Sequence, residues 1–284
     1  MAAGRPDRNP LELVVPLPGI DVRHSITLLA LLLTACAGNQ SGPASHETSL
    51  TVASYNIRHG RGIDDVVALD RTAAALRALD ADIIGLQEVD EAVNRSGNID
   101  EAAFLGEELA MHYAFGAFFD YDGGRYGMAI LSRLPILESR SIRLPDGEEP
   151  RVALMATVVL PSGDTVAVVN VHFDWLDNDA DRFHQAEFLT NALQQLTLPW
   201  LILGDFNDLP TSRTLGLFYP LVEGARKPTG ARFTFPAPDP VKEIDYIFAA
   251  KGHRWEIDDL TVRVDSATSD HRPVTARVRR SRHQ

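Results

Sequence analysis

The chain has 284 residues, 45% apolar and 23% charged, a globular balance that excludes a disordered or collagen-like polypeptide. Its single cysteine excludes an intrachain disulfide framework and any cysteine-rich zinc module. A net charge of −12 disfavours sequence-independent wrapping of duplex nucleic acid, yet leaves room for phosphate chemistry around bound cations.

Residues 1–21 carry four prolines and no apolar periodicity. Arg23 and His24, the apolar run Ile26 to Leu33 and the small residues after it then have the layout of a secretory signal. The run is far shorter than the roughly twenty residues that a membrane span needs. Leu33-Thr34-Ala35-Cys36 fits a bacterial lipobox, in which the cysteine is diacylated and becomes the new N-terminus. Residues 37–48 follow as a flexible tether rich in small and polar residues. Acyl chains on Cys36 would anchor stably, since each buried CH₂ contributes about 0.8 kcal/mol. The expected location is therefore the cell envelope, outside the cytoplasm, with the protein a monomer. Residues 1–36 are expected to be an extension plus signal peptide, with the true start at Val22.

From Leu50 onward, short apolar runs alternate with helical patterns. Strands are expected at 51–57 and 82–86, and helices at 66–79 and 99–111, the latter with Asp100 and Glu101 favourable at its start. Further strands are expected at 127–132 and 136–143, followed by the hairpin 151–160/164–171 turned by Pro161-Ser-Gly-Asp164. A helix over 179–196 precedes strands at 200–203, 244–249, 257–264 and 273–278. This order is not the regular alternation of a parallel barrel. It predicts one α/β domain over 49–280, a packed pair of mixed sheets with helices outside, and a basic tail at 281–284.

The polar residues of interest end apolar runs, where a strand gives way to a loop. Asn56, Glu88, Asp205, Asn207 and Asp270 are hard oxygen donors suited to Mg²⁺ or Mn²⁺. The histidines and aspartates among these strand-end residues can supply a general base, its orienting partner and transition-state donors.

Asn56, Gln87-Glu88, Gly127 to Arg133, Asn170-x-His172, Gly204-Asp-Phe-Asn207, Ile244-Asp-Tyr246 and Ser269-Asp-His271 occur in an order and spacing that resembles the endonuclease/exonuclease/phosphatase superfamily. The resemblance spans about residues 50–278 and implies a four-layer α/β sandwich with the site at the strand ends. It implies that Asn56 and Glu88 bind the metal, with Asp270 close enough to share it. It gives His271, paired with Asp245 or Asp270, the base side of the reaction. Asp205 would position or deprotonate the attacking water, Asn207 would hold it and a phosphate oxygen, and His172 and Asn170 would contact the phosphate. The block from Gly127 to Arg133 is expected to be core strand.

Substrate is less legible. Arg58, His59 and Arg95 lie beside the metal residues in sequence and are candidates to clamp a phosphate; pairing with Asp64 or Asp90 is the competing expectation. Trp175 is expected at the site rim, the run from Phe115 to Phe119 in a buried strand, and the loop from Lys227 to Phe235 beside the substrate. The arginines from Arg277 to Arg282 are expected in a frayed, solvated terminus. The favoured expectation is a metal-dependent hydrolase of a lipid or other small phosphodiester. A nuclease of DNA or RNA, a phosphomonoesterase and a non-catalytic binding lipoprotein are the alternatives.

Overall fold

A computed structural model describes residues 48–281 apart from 225, 226, 228 and 229. The signal run, Cys36, tether residues 37–47 and Arg282 lie outside the described residues. Among the described residues, no helix is long and apolar enough to cross a membrane.

The chain forms β1 (Thr48–Asn56), α1 (Leu69–Leu79), β2 (Ile83–Glu91), α2 (Glu101–Leu109), β3 (His112–Tyr121), β4 (Gly124–Ser132), β5 (Ile136–Arg143), β6 (Val152–Val159), β7 (Thr165–His172) and α3 (Ala180–Leu193). It continues through β8 (Trp200–Asp205), α4 (Arg213–Phe218), β9 (Val222–Glu223), β10 (Asp245–Ala250), β11 (Trp255–Val262) and β12 (Val274–Arg280). Two six-stranded sheets result, ordered β11-β12-β1-β2-β4-β3 and β5-β6-β7-β8-β10-β9. Each is mixed: β1 and β2 pair parallel in the first sheet and β7 and β8 in the second, and the remaining pairs are antiparallel.

Strand alternation builds the layers. Val52 and Ile83 face the second sheet and join the large core with Val169, Val171 and Leu203. Their neighbours Ala53 and Ile84 face the other way and pack with Leu76 and Leu105 of α1 and α2. Ala186, Leu189, Leu215 and Phe218 of α3 and α4 extend the large core as the fourth layer. Each fully buried Leu or Val contributes about 1.5–3 kcal/mol. The sheets meet closely at Gly85, where a Cβ would stand 1.9 Å from Leu203 Cδ1.

Several boundaries differ from expectation. Helix α1 starts at Leu69, not 66, because an Arg61–Val67 bridge and a bond from Arg71 to the Val66 carbonyl hold that stretch extended. Asp100 does cap α2, accepting from Ala103 N at 3.0 Å. Strand β2 runs on to Glu91, and α4 and β9 had no periodic signal because they are short. The arginine terminus is not frayed: Arg277, Arg279 and Arg280 lie in β12 and meet Asp259, Asp258 and Asp164.

Candidate active site

Strand ends bring the polar residues together. The parallel pairs β1/β2 and β7/β8 deliver Asn56, Glu88, His172 and Asp205 to one edge of the sandwich, where ligands of α/β sheets bind. Antiparallel β10 starts at that edge, with Asp245 directly opposite Asp205. His271 arrives on the loop before β12, held by Ser269, whose hydroxyl donates to the Asn56 carbonyl at 2.7 Å and accepts from His271 N at 3.3 Å. Glu88 sits at a β-bulge with φ of 56°, a strained conformation that turns its side chain out of the ladder. Gly204, at φ 148°, admits the Val171 carbonyl, which a Cβ would meet at 2.1 Å.

Asp205 is the centre. Its Oδ2 lies 3.6 Å from Nε2 of both His172 and His271 and accepts from Asn56 Nδ2 at 3.2 Å, while Oδ1 accepts from Asn207 N at 2.9 Å. Asn56 Nδ2 also donates to Glu88 Oε1 at 2.9 Å, so one amide spans both carboxylates. His271 Nδ1 is 3.0 Å from Asp245 Oδ2. Asn207, at φ 51°, donates to the Phe173 carbonyl at 3.0 Å, which fixes its side chain across the mouth.

The charges follow from burial and partners. Burial alone would lower His271, but Asp245 and Asp205 outweigh it and push the imidazole up to about 10. Burial pushes the Asp205 carboxyl up to about 7, against the pull of His271. His172 goes the other way: burial, then Arg151 and His271, hold it well below the usual histidine range. Burial raises Glu88, and nearby Asp270 adds to the rise.

The donor set suits a hard divalent cation. Glu88 and Asp270 place carboxylates near each other, and burial and Asp270 raise Glu88, so a cation between them would be favoured. Among the described residues, Asp205, Asp245 and His271 form a second cluster, whose ligand atoms lie within 4.8 Å of one another. Its imidazole sets Nδ1 against Asp245 at 3.0 Å, a geometry suited to proton handling. Asn56 turns its nitrogen to the carboxylates while its Oδ1 accepts from Arg58 N at 3.1 Å, which places its amide beside Glu88.

The phosphate candidates divide. Asn170 is withdrawn from that role: its amide donates to the Leu86 and Ala129 carbonyls at 2.8 Å each and accepts from Gln87 at 2.6 Å, deep between the sheets. Arg95 spends its fork on buried Asp90, at 2.8 Å twice, with its face over Tyr121 and Tyr126. His59 is buried, and burial and Arg95 lower it to about 4, so it carries no charge near neutral pH. Arg58 does stand at the mouth, 3.7 Å from Asp270 and 3.5 Å from Asp65. Trp175 is 57% exposed on the loop after His172. Phe235, from the expected substrate-side loop, packs on the His271 ring at 4.9 Å.

Sequence reasoning missed Arg151, fully buried behind His172, and gave no role to Ser269. The available signal was a charged residue opening the apolar run Val152 to Val159.

Two mixed sheets in four layers, with paired imidazoles and carboxylates at the strand ends, define a hydrolase of the phosphoester-cleaving class. The chain belongs to the Endonuclease/Exonuclease/phosphatase family, whose signature matches residues 53–271. It is 29% identical over 253 residues to the uncharacterized protein YbhP of Escherichia coli strain K12, covering 82% of this chain and 98% of that one. The endonuclease/exonuclease/phosphatase from Beutenbergia cavernae shares the fold at TM-score 0.70 and 23% identity, over 82% of this chain and 72% of that one. The mannosyl-6-phosphatase Bt3783 of Bacteroides thetaiotaomicron shares it at TM-score 0.67 and 21% identity, over 81% and 99%.

Proposed function

We propose that the protein is a divalent-metal-dependent phosphodiesterase whose preferred substrate is a lipid or other small phosphodiester. The observation that carries the hydrolytic reading is Asp205 Oδ2 facing the Nε2 atoms of both His172 and His271 at 3.6 Å. Asp205, at about 7, is poised to take a proton from an attacking water near neutral pH, and Asn207 orients that water. His271, protonated through Asp245, offers positive charge and a proton on the same side. His172 presents its Nε2 to the phosphate oxygens. Glu88 and Asp270 would hold the cation, which when bound neutralises charge on the phosphate and the leaving oxygen.

Two observations favour a small or lipid substrate over a duplex. Arginines on and beside the loops that follow β1, β2 and β7 are paired: Arg58 and Arg61 with Asp65, Arg71 of α1 with Asp64, Arg95 with Asp90, and Arg182 of α3 with Asp208. No free basic groove remains among them to track a phosphate backbone. Trp175 and Leu209, on the loops that follow His172 and Asn207, are 57% and 48% exposed, apolar surface suited to acyl or other apolar substrate groups. Anchorage through acylated Cys36 at the cell envelope completes the reading and rests on the sequence from Leu33 to Cys36.

The test compares bis(p-nitrophenyl) phosphate with p-nitrophenyl phosphate, in Mg²⁺ and in EDTA. Preference for the diester, lost in EDTA and reduced about 10²–10⁴-fold in His271→Ala, supports the proposal. Preference for the monoester would favour a phosphatase, the activity named for the Bacteroides neighbour.

A further inference from the structure

Arg151 stands just ahead of β6, behind His172 rather than in the mouth, and is 1% exposed. Its Nη1 lies 3.4 Å from His172 Nδ1, its Nη2 2.9 Å from Glu149 Oε2, and its plane 4.8 Å from the Phe118 ring centre. A guanidinium has five N–H donors and no acceptor, and it does not deprotonate in proteins. The ring atom facing it must therefore accept, so the His172 proton belongs on Nε2. That is the atom facing Asp205 at 3.6 Å.

We propose that Arg151 is a positioning residue that fixes His172 as a neutral imidazole carrying its proton on Nε2, so that His172 acts as a hydrogen-bond donor into the site and not as a proton-donating acid. The catalytic meaning rests on the phosphodiesterase reading above; the tautomer does not. The surroundings of His172 agree. Phe118 meets the ring edge-on at 6.1 Å, and Asp205 faces Nε2 rather than Nδ1. Burial, then Arg151 and His271, keep the imidazole well below its usual range. His271 is the reverse case, with a carboxylate where His172 has a guanidinium. Two imidazoles on one aspartate thus receive opposite partners, which separates a cationic from a neutral role.

The test is the ring ¹⁵N spectrum of histidine-labelled full-length protein near neutral pH, without added metal. His172 is assigned by the signals lost in His172→Gln. The wild type is expected to show the Nε2–H tautomer with Nδ1 as acceptor. Arg151→Met should redistribute the proton toward Nδ1 and lower kcat by about tenfold with KM little changed, and Arg151→Lys should restore both in part. An Nδ1–H or doubly protonated His172 in the wild type would overturn the proposal, as would an unchanged tautomer in Arg151→Met. The wild-type spectrum decides even if Arg151→Met does not fold. The Nε2–H tautomer in a protein that cleaves no phosphoester would sink the phosphodiesterase reading and leave the positioning intact.

Discussion

Nδ1 of His271 lies 3.0 Å from Oδ2 of Asp245, and both side chains are out of water. The register of β10 against β8 sets the contact, since Asp245 pairs with Asp205 and the imidazole reaches both. A buried imidazole flanked by two carboxylates keeps its proton, despite the cost of burying its charge.

That pair makes stability depend on pH. Below about pH 6.5, His271 is protonated whether the chain is folded or not, and the stabilisation is complete. Above it the unfolded chain loses the proton first, so the stabilisation falls, by up to about 1.4 kcal/mol per pH unit, until the folded group titrates. The folded value is about 10, so the decline runs from pH 6.5 to about 10. Thermal unfolding should show Tm falling through this window in the wild type, with a flatter profile in Asp245→Asn. Parallel profiles would remove Asp245 as the cause.

Glu88→Ala should bind Mn²⁺ at least about tenfold more weakly in a titration followed by electron paramagnetic resonance, since it loses one of two carboxylates. Saturating Mg²⁺ should not restore its activity. A fully active Glu88→Ala protein would refute the metal assignment.

Asn170→Ala should act on folding rather than on substrate. It leaves two buried carbonyls and Gln87 without their partner, each costing about 1–3 kcal/mol. Denaturant unfolding should show a loss of several kcal/mol, of order 3. Full stability with a raised KM would return Asn170 to the phosphate.

Much of the site was legible because strands end where they meet solvent. Asn56, His172 and Asp205 each close an apolar run, and β8 and β10 then meet as antiparallel neighbours. Asn170 misled because it shares a strand face with His172. Two residues of strand place it about 7 Å deeper, under β2 and β4 instead of at the mouth. Arg151 was illegible for a different reason. A charged residue after a proline reads as surface, and only the packing of Phe118 and Glu149 around it makes its burial tolerable. Arg95 lies near Glu88 in the chain and His59 near Asn56, but the bond from Arg95 to Asp90 draws the arginine inward.

Anchoring is tested separately from chemistry. Cys36→Ser should move the protein from the membrane to the soluble fraction after ultracentrifugation, because the acylated thiol is then missing. If it stays with the membrane, the lipobox reading is wrong.

The most direct measurement sets headgroup release from sphingomyelin and glycerophospholipid vesicles against nicking of supercoiled plasmid. It uses purified protein in Mg²⁺, with Glu88→Ala and EDTA as controls. Headgroup release without nicking, lost in both controls, is the predicted result. Nicking without headgroup release would contradict the small-phosphodiester account and make the protein a nuclease.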